Sequence, residues 1–224
     1  MDVSEAVANR HSTRAFLPDP VDRAVIERVL DRARFAPSGG NVQPWQAVVV
    51  TRGALRRLLD GVAKKMSAGE GMDHAYSSYP DPLPEPWMSR RRACAADMYK
   101  ALGIAREDKP ARSAQVARNW VGFGAPCLLF THMPAWMERA QWADLGIWLQ
   151  TVMLLLQEEG LATCAQGAWA HGAPAVRDEL QIPDDHVICC GLAIGHADPQ
   201  AAVNSLRTSR APIAQSVRFL GFGD

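Results

Sequence analysis

The stretch "NRHSTRAF", residues 9–16, places two arginines four positions apart around a histidine and a serine. The residues before it share one apolar helical face, so we predict a short helix that ends near Asn9 and is capped by Asp2 or Ser4. Arg10 and the residues after it then form the loop that leaves this helix. Two guanidinium groups in one loop are suited to binding an anion.

The carboxyl-terminal stretch "NSLRTSRAP", residues 204–212, carries two further arginines in a loop-like segment. Arg207 and Arg210, together with Arg10 and Arg14, could close on a terminal phosphate, which carries about two negative charges near neutral pH. The alternative is that these side chains lie at the surface and pair with acids. Spacing alone does not separate the two interpretations.

The composition shows no excess of charge. The 224 residues include 24 Lys and Arg and 24 Asp and Glu, so the formal net charge is +0, which argues against nucleic-acid binding and against a polybasic membrane surface. The longest apolar stretch, residues 145–156, is interrupted by polar residues and glycine and is too short to span a bilayer. We expect a single domain over residues 1–224, or a core that a second copy completes.

The residue types that commonly carry chemistry form no familiar motif. The five cysteines contain no C-x-x-C pair, and the six histidines make no H-x-x-x-H or H-E-x-x-H pattern. Dinucleotide-binding, P-loop and G-x-S-x-G motifs are also missing. We therefore expect no metal and no catalytic side chain, with the chemistry supplied by a cofactor. Charges near the amino terminus, where a signal peptide needs an apolar run, lead us to expect a cytoplasmic protein.

Periodicity predicts an α/β (α+β) domain with a mixed central sheet surrounded by helices. Helices are predicted at residues 22–33, 54–65, 90–102, 107–122, 141–159 and 173–183, and strands at 45–51, 126–132, 160–169 and 186–196. The helix at 141–159 is apolar nearly all round, so we expect it near a dimer interface. The arm at 197–224 holds apolar residues without local partners, which indicates a strand added to a sheet edge, on this subunit or on a second one.

Residues 66–92 form a long excursion in which proline occupies every second position from Pro80 to Pro86. Because proline lacks a backbone N–H group, no regular helix or strand is expected there. Long excursions in compact proteins often cover a functional site. We therefore interpret residues 66–92 as a lid.

Four motifs occur in a specific order: "RHSTR" at 10–14, "APSGGNVQPW" at 36–45, "GLATCAQGAW" at 160–169 and "SRAP" at 209–212. In this order the chain resembles the FMN-dependent nitroreductases over nearly its whole length. The phrases "RNWVGFGAP", "WADLGIWLQ" and "LAIGHADP" are similar to the nitrobenzoate reductase branch of that family. The resemblance implies a nitroreductase-like fold and an intertwined homodimer whose C-terminal arm extends onto the partner.

The resemblance also implies a set of FMN-binding residues. Arg10, Ser12 and Arg14 would hold the ribityl phosphate and the pyrimidine edge, with His11 beside them and Arg210 completing the phosphate site. Some relatives have a basic residue at the position of Thr208, and Arg207 either replaces it or faces solvent. Ser38 and Asn41 would reach the flavin from the partner subunit, on a loop shaped by Pro37 and supported by Gln43. The loop at the reactive edge of the flavin would be Ala165, Gln166 and Gly167.

For the reaction, the resemblance implies alternating hydride transfer: NADH or NADPH reduces the FMN, and a small nitroaromatic substrate is then reduced to a hydroxylamine. In the lid, Tyr76, Tyr79 and Trp87 are candidates for stacking on the substrate ring. One of the arginines at 90–92 is a candidate for pairing with a carboxylate, although a solvated basic helix start is the alternative. Quinone or flavin reduction, reductive dehalogenation, reduction of unsaturated carbonyls and flavin binding without catalysis also remain open.

Overall fold

The computed structural model describes residues 1–70, 73 and 75–222. Within these residues the chain forms seven α-helices and four strands. In chain order they are α1 (Val3–Asn9), α2 (Arg23–Ala33), β1 (Gln46–Thr51), α3 (Arg52–Ser67), α4 (Trp87–Ala101), α5 (Lys109–Ala117), β2 (Cys127–Pro134), α6 (Arg139–Glu158), β3 (Ala162–Gln166), α7 (Ala173–Leu180) and β4 (His186–Gly195).

The four strands form one sheet in the order β1, β2, β4, β3. All three strand pairs are antiparallel, and the parallel contact found in the described residues is an isolated bridge between Ser12 and Thr163. The expected α/β class is confirmed, and the sheet that we expected to be mixed is antiparallel in each of its strand pairs. Strand β1 lies at one edge of the sheet and β3 at the other.

Both faces of the sheet are covered, which explains the continuous apolar runs in β2 and β4. Successive side chains of a strand point to opposite faces. In β2, Leu128 and Phe130 pack against α3 and α7, whereas Cys127 and Leu129 pack in the cluster that contains α2 and α6. The sheet is therefore the middle layer of three.

Helix starts follow the predicted capping chemistry. The carboxylate of Asp2 accepts a hydrogen bond from the Glu5 N–H group at 2.8 Å, and Asp22 accepts one from the Ala24 N–H group at 3.0 Å. These bonds satisfy amide groups that a helix leaves unpaired at its amino end. The predictions that α1 ends near Asn9 and that α2 starts after Asp22 are confirmed.

One predicted helix is wrong in its second half. Helix α5 ends at Ala117, and residues 118–124 form a 3-10 segment in which Gly122 and Phe123 have φ angles of +55° and +57°. A Cβ atom at Gly122 would lie 2.5 Å from the Leu128 side chain. The chain therefore turns tightly before β2, and the glycine gives it both the space and the backbone freedom to do so.

Between α3 and α4 the described residues of the lid form no helix or strand, as predicted. The predicted bounds of 66–92 are too wide, because α3 continues to Ser67 and α4 already starts at Trp87. Gly71, Met72 and His74 lie outside the described part of the chain. The Ala75 N–H group donates to the Ala170 carbonyl at 3.1 Å, and the Tyr76 hydroxyl donates to the Cys189 carbonyl at 2.6 Å. The lid is therefore attached to the body of the protein at Ala170 and at the inner strand β4.

The C-terminal arm forms no strand with this chain's own sheet in the residues described up to 222. Its first part lies against α4, where the guanidinium of Arg90 donates to the side-chain oxygen of Gln215 at 3.0 Å. Val217, Phe219 and Phe222 are exposed. Pairing of this arm with a second subunit remains a prediction. No helix in the described residues is long and apolar enough to cross a membrane.

Candidate active site

The loop after α1 is attached to strand β3 through its backbone. Ser12 bridges Thr163, and the Thr13 N–H group donates to the Thr163 carbonyl at 2.9 Å. Both threonines are buried. Burial raises the pKa of the neighbouring Cys164 thiol, and the positive charge of Arg14, the Ser12 hydrogen bond and the charge of Arg10 act in the opposite direction. Three of the predicted phosphate ligands therefore converge at β3.

The C-terminal segment meets this loop through Asn204. Its side-chain oxygen accepts from the Arg14 N–H group at 2.9 Å, and its amide group donates to the Ala15 carbonyl at 2.7 Å. The guanidinium of Arg207 donates to the Asn204 carbonyl at 2.9 Å. The guanidinium of Arg207 therefore lies against the backbone of Asn204, the residue that contacts the 10–14 loop. Sequence reasoning missed Asn204, because a single asparagine in a polar tail carries no signal of burial.

The arginines of this region have no acidic partner. In the part of the chain that the structure describes, none of the four predicted phosphate-binding arginines forms a salt bridge. The guanidinium of Arg14 donates to the Ser12 carbonyl at 3.3 Å. Unneutralised guanidinium groups beside a serine hydroxyl are a donor set that suits a phosphate and a polyhydroxyl chain. The residues present therefore fit FMN.

Arg210 lies apart from this cluster. Its guanidinium donates to the Thr208 carbonyl and hydroxyl oxygens at 3.0 and 2.6 Å and to the Ser209 carbonyl at 2.9 Å. The side chain lines the cleft between the C-terminal arm and α4. The structure does not bring Arg210 together with Arg10 and Arg14, and its role in the phosphate site stays a prediction.

The segment at residues 165–167, at the end of β3, has exposed residues on either side of a buried side chain. Ala165 and Gly167 are exposed, whereas the side chain of Gln166 is buried between them. The Gln166 amide group donates to the Asn119 carbonyl at 2.9 Å, and its oxygen accepts from the Trp169 indole N–H group at 3.2 Å. We call Asn119, Gln166 and Trp169 the Gln166 clamp. The hydrogen bonds of the clamp use both the amide nitrogen and the oxygen of the Gln166 side chain. A ligand at this segment would therefore meet its backbone groups and not the Gln166 side chain.

The clamp is anchored in the core. Trp169 has 0 % exposure, and its ring meets those of Trp120 and Phe130 edge-on, with centroids 5.3 and 5.1 Å away. A Cβ atom at Gly191 would lie 2.2 Å from the Trp169 ring. Glycine at position 191 therefore allows the indole to pack against β4. The sequence "CAQGAW" indicated the loop, but the role of its glutamine and tryptophan side chains depends on partners far along the chain.

The second predicted flavin loop, residues 37–43, is held by its own hydrogen bonds. The Ser38 hydroxyl accepts from the Gln43 N–H group at 3.0 Å, and the Gln43 amide group donates to the Asn41 carbonyl at 3.0 Å. Asn41 and Gln43 have positive φ angles of 59° and 50°, and both are exposed. Pro37 is exposed as well. No hydrogen bond between described residues joins this loop to the loop at 10–14 of the same chain.

Asp144 ties the 37–43 loop to helix α6. One of its carboxylate oxygens accepts from the Gly39 N–H group at 3.2 Å, and the other is buried without a hydrogen-bond partner. Sequence reasoning missed this residue as well, although a lone carboxylate in the apolar stretch "WADLGIW" was a signal. Buried carboxylates need a partner, and here the partner is the loop.

A cavity of about 1230 Å³ lies between the lid and the Gly167 loop. Its walls include Tyr76, Tyr79 and Arg91 from the lid and α4, and Asn119, Trp120, Gly167 and His171 from the body. The Tyr76 ring meets Trp142 edge-on at 4.9 Å, and burial raises the pKa of Tyr76 to about 12. Trp87 is exposed and lies outside this cavity. The expected position of the lid beside a binding cavity is supported for two of its three aromatic residues.

Comparison with known proteins places these features in a family. The sequence model described as "Nitroreductase family" matches residues 7–196. The chain is 35% identical to a 4-nitrobenzoate reductase of Pseudomonas putida over 99% of this chain and 96% of that protein, and 33% identical to a chloronitrobenzene nitroreductase of Comamonas testosteroni over 97% and 96%.

Among solved structures, the FMN and NADPH-dependent nitroreductase NfnB from Sphigopyxis sp. strain HMH superposes with a TM-score of 0.96 at 48% identity, covering 99% of this chain and 100% of that one. Because the match spans 99% of this chain, the superposed region includes the N-terminal arginine loop, the Gln166 clamp and the lid. The chain belongs to the nitroreductase family.

Proposed function

We propose that this protein is an FMN-dependent NAD(P)H oxidoreductase that reduces nitroaromatic compounds to hydroxylamines by alternating hydride transfer. One observation carries the proposal: the loop at 10–14, whose two arginines form no salt bridge in the described residues, is attached to β3 at Thr163, two residues before the exposed Ala165. The named activities of the relatives support the same conclusion, because both curated relatives and the NfnB structure are described as nitroreductases or nitrobenzoate reductases.

Different residues would bind different parts of FMN. Arg10, Ser12 and Arg14 would hold the phosphate of FMN and the pyrimidine edge, and Arg210 would complete the phosphate site, with Arg207 as a further candidate. FMN, when bound, takes a hydride from NAD(P)H and delivers it to the nitro group. The backbone N–H groups of Ala165 and Gly167 would orient the reactive edge, because the Gln166 clamp holds that segment in place. The lid cavity would admit the reductant and the acceptor in turn.

The chain's exposed apolar surface supports a homodimer. Val3 and Val7 on α1 and Ile147 on α6 are exposed, and α1 packs against α6. This surface adjoins the 37–43 loop, which Asp144 of α6 holds. A second copy placed here would bury the apolar residues and bring its own 37–43 loop toward the flavin. Serine, asparagine and glutamine side chains of that loop would then reach the ring from the partner.

The C-terminal arm would complete the assembly. Strand β1 leaves one edge of the sheet without a partner, and a groove of about 670 Å³ runs beside it between α2 and residues 49–52. The exposed Val217, Phe219 and Phe222 of a second copy would pack against the apolar residues of this groove, whose walls also carry charged side chains. We propose that residues 1–224 form one domain. We also propose the cytoplasm as the compartment of the protein, since all five cysteines are free thiols.

Absorbance spectroscopy tests the proposed function. Protein reconstituted with FMN and desalted should keep its flavin absorbance, lose it on mixing with NADPH or NADH in a stopped-flow instrument, and regain it when a nitroaromatic is added. A colourless protein after desalting would contradict the proposal. Rates with quinones, free flavins, halogenated aromatics and unsaturated carbonyls, measured on the same preparation, would show which acceptor is preferred.

A further inference from the structure

Three consecutive arginines at the start of α4 point to three different places. The guanidinium of Arg90 donates to Gln215 of the C-terminal arm at 3.0 Å. Arg92 lines a separate cavity of about 450 Å³ formed by the later part of α4 and by α5. Arg91 lines the lid cavity. This divergence follows from helix geometry, because each residue turns the side chain by about 100° around the axis.

The orientation of Arg91 is fixed by the lid. Its guanidinium carbon lies 4.4 Å from the centroid of the Tyr79 ring, and Tyr79 lines the same cavity. A guanidinium stacked on an aromatic face keeps its N–H groups free at the edge of its plane. In the described residues Arg91 takes part in no salt bridge. Its charge is therefore available to a molecule in the cavity.

The other charged groups of the cavity do not neutralise Arg91. Asp81 lines the cavity, is exposed, and forms no salt bridge with Arg91 in the part of the chain that the structure describes. His171 is 3.3 Å from the Ser78 hydroxyl through its Nε2 atom. The same cavity is bounded by Gly167 of the loop proposed to orient the flavin. Arg91 and the loop proposed to orient the flavin thus line the same cavity.

We infer that Arg91 selects acidic nitroaromatics by pairing with their carboxylate, so that nitrobenzoates are preferred over neutral nitrobenzenes. This inference rests on the proposed function, whose site it shares. The relatives leave the choice open, because one is a 4-nitrobenzoate reductase and another a chloronitrobenzene nitroreductase. The pair would hold the carboxylate with bidentate N–H donors while the ring stacks between the aromatic walls of the cavity.

The test compares kcat/KM for 4-nitrobenzoate and for nitrobenzene in the wild type and in Arg91→Gln, both loaded with FMN. The ratio of the two values should fall about tenfold in the variant, mainly through a higher KM for nitrobenzoate, while nitrobenzene changes by less than about twofold. Arg90→Gln and Arg92→Gln are matched controls and should leave the ratio unchanged. An unchanged ratio in Arg91→Gln, or equal loss with both substrates, would overturn the inference.

A second measurement separates this inference from the proposed function. Benzoate, which has no nitro group, should perturb the flavin spectrum of the wild type and bind about tenfold more weakly to Arg91→Gln. Equal benzoate affinity in both proteins would contradict the role of Arg91 even if nitroaromatics are reduced. A KM for NADPH that rises with nitrobenzene as the acceptor would assign Arg91 to the phosphates of the reductant and would also overturn the inference.

Discussion

The two flavin loops of this protein differ in how complete they are within one chain. The loop at 10–14 pairs with β3 through Thr163 and with the C-terminal segment through Asn204. The 37–43 loop also has its own hydrogen bonds, but Asn41 and Gln43 are exposed, and no hydrogen bond between described residues joins it to the 10–14 loop. Under the proposed function, the 10–14 loop would bind FMN within one chain, whereas the 37–43 loop would reach it from a second copy.

The difference shows where the binding energy should lie. Under the proposed function, the 10–14 loop would offer charge to the phosphate of FMN, whereas the 37–43 loop would offer neutral hydrogen bonds to its ring. Charge-assisted hydrogen bonds are about twice as strong as neutral ones. Substitutions in the 10–14 loop should therefore weaken FMN binding more than a substitution that detaches the 37–43 loop from α6.

The largest effect is expected for Arg14→Ala. Loss of a guanidinium from a partly desolvated phosphate site should weaken FMN binding by about 1.5–3 kcal/mol, and Arg10→Ala should act in the same direction. Flavin fluorescence quenching measures the affinity. Arg23→Ala removes an arginine of an exposed pair on α2 and serves as the control. Wild-type affinity in both site variants would remove the phosphate assignment.

A comparable but indirect effect is expected for Gln166→Leu. The substitution leaves the Asn119 carbonyl and the Trp169 indole N–H group without a partner, at a cost of about 1–3 kcal/mol in the free energy of unfolding. If the clamp orients the loop, the midpoint potential of bound FMN should shift as well. Gln115→Leu is a matched control, because that buried amide nitrogen has no partner in the structure. A lower stability with an unchanged potential would limit the clamp to folding.

A pair of buried histidines outside both loops tests whether stability can change without a change in FMN affinity. The Nδ1 atoms of the buried His132 and His186 lie 2.9 Å apart, and burial, followed by the charge of His186, lowers the pKa of His132 to about 4. Because the unfolded chain takes up a proton near pH 6.5 and the folded one does not, stability should fall as the pH falls from about 6.5 toward 4, by on the order of 1–2 kcal/mol.

Urea unfolding at several pH values measures this dependence. The slope between pH 6.5 and 5 should be smaller in His132→Gln than in the wild type. FMN affinity at pH 7.5 should be the same in both proteins, since neither histidine belongs to the two loops. Equal slopes would show that His132 titrates as it does in the unfolded chain.

The smallest effect is expected for Asp144→Ala, which releases the 37–43 loop from α6. The Gly39 N–H group loses its acceptor, and FMN binding should weaken by about 1 kcal/mol or less if the loop serves a flavin site. Asp31→Ala on α2 is the control. Unchanged FMN affinity with altered loop mobility, measured by hydrogen exchange, would assign the loop to a surface role.

Much of the fold follows from local patterns in the sequence. Asp2 and Asp22 cap their helices because their carboxylates match nearby amide groups, and the apolar runs of β2 and β4 indicate strands covered on both faces. The segment at 118–124 could not be predicted in the same way. Its turn depends on the space left by Leu128, which local periodicity does not contain.

The site was predictable in its residue types and less so in its geometry. Arg10, Ser12 and Arg14 follow from the motif, but their attachment depends on Asn204, which lies 190 positions from Arg14. The three arginines at 90–92 share the same local context, so no sequence pattern favours one of them as the residue that lines the cavity. The attachment of the 10–14 loop and the direction of each arginine at 90–92 both depend on residues far along the chain. Local sequence patterns do not predict such contacts.

The central claim is that the arginine loop recognises the phosphate of the flavin, and a comparison of FMN with riboflavin tests it most directly. Affinities of both flavins are measured for the wild type and for the variant that combines Arg10→Ala and Arg14→Ala. The account predicts that the wild type prefers FMN strongly, that the variant loses this preference, and that riboflavin binds both proteins alike. A wild type that binds riboflavin as tightly as FMN, or a variant that keeps the preference, would contradict it.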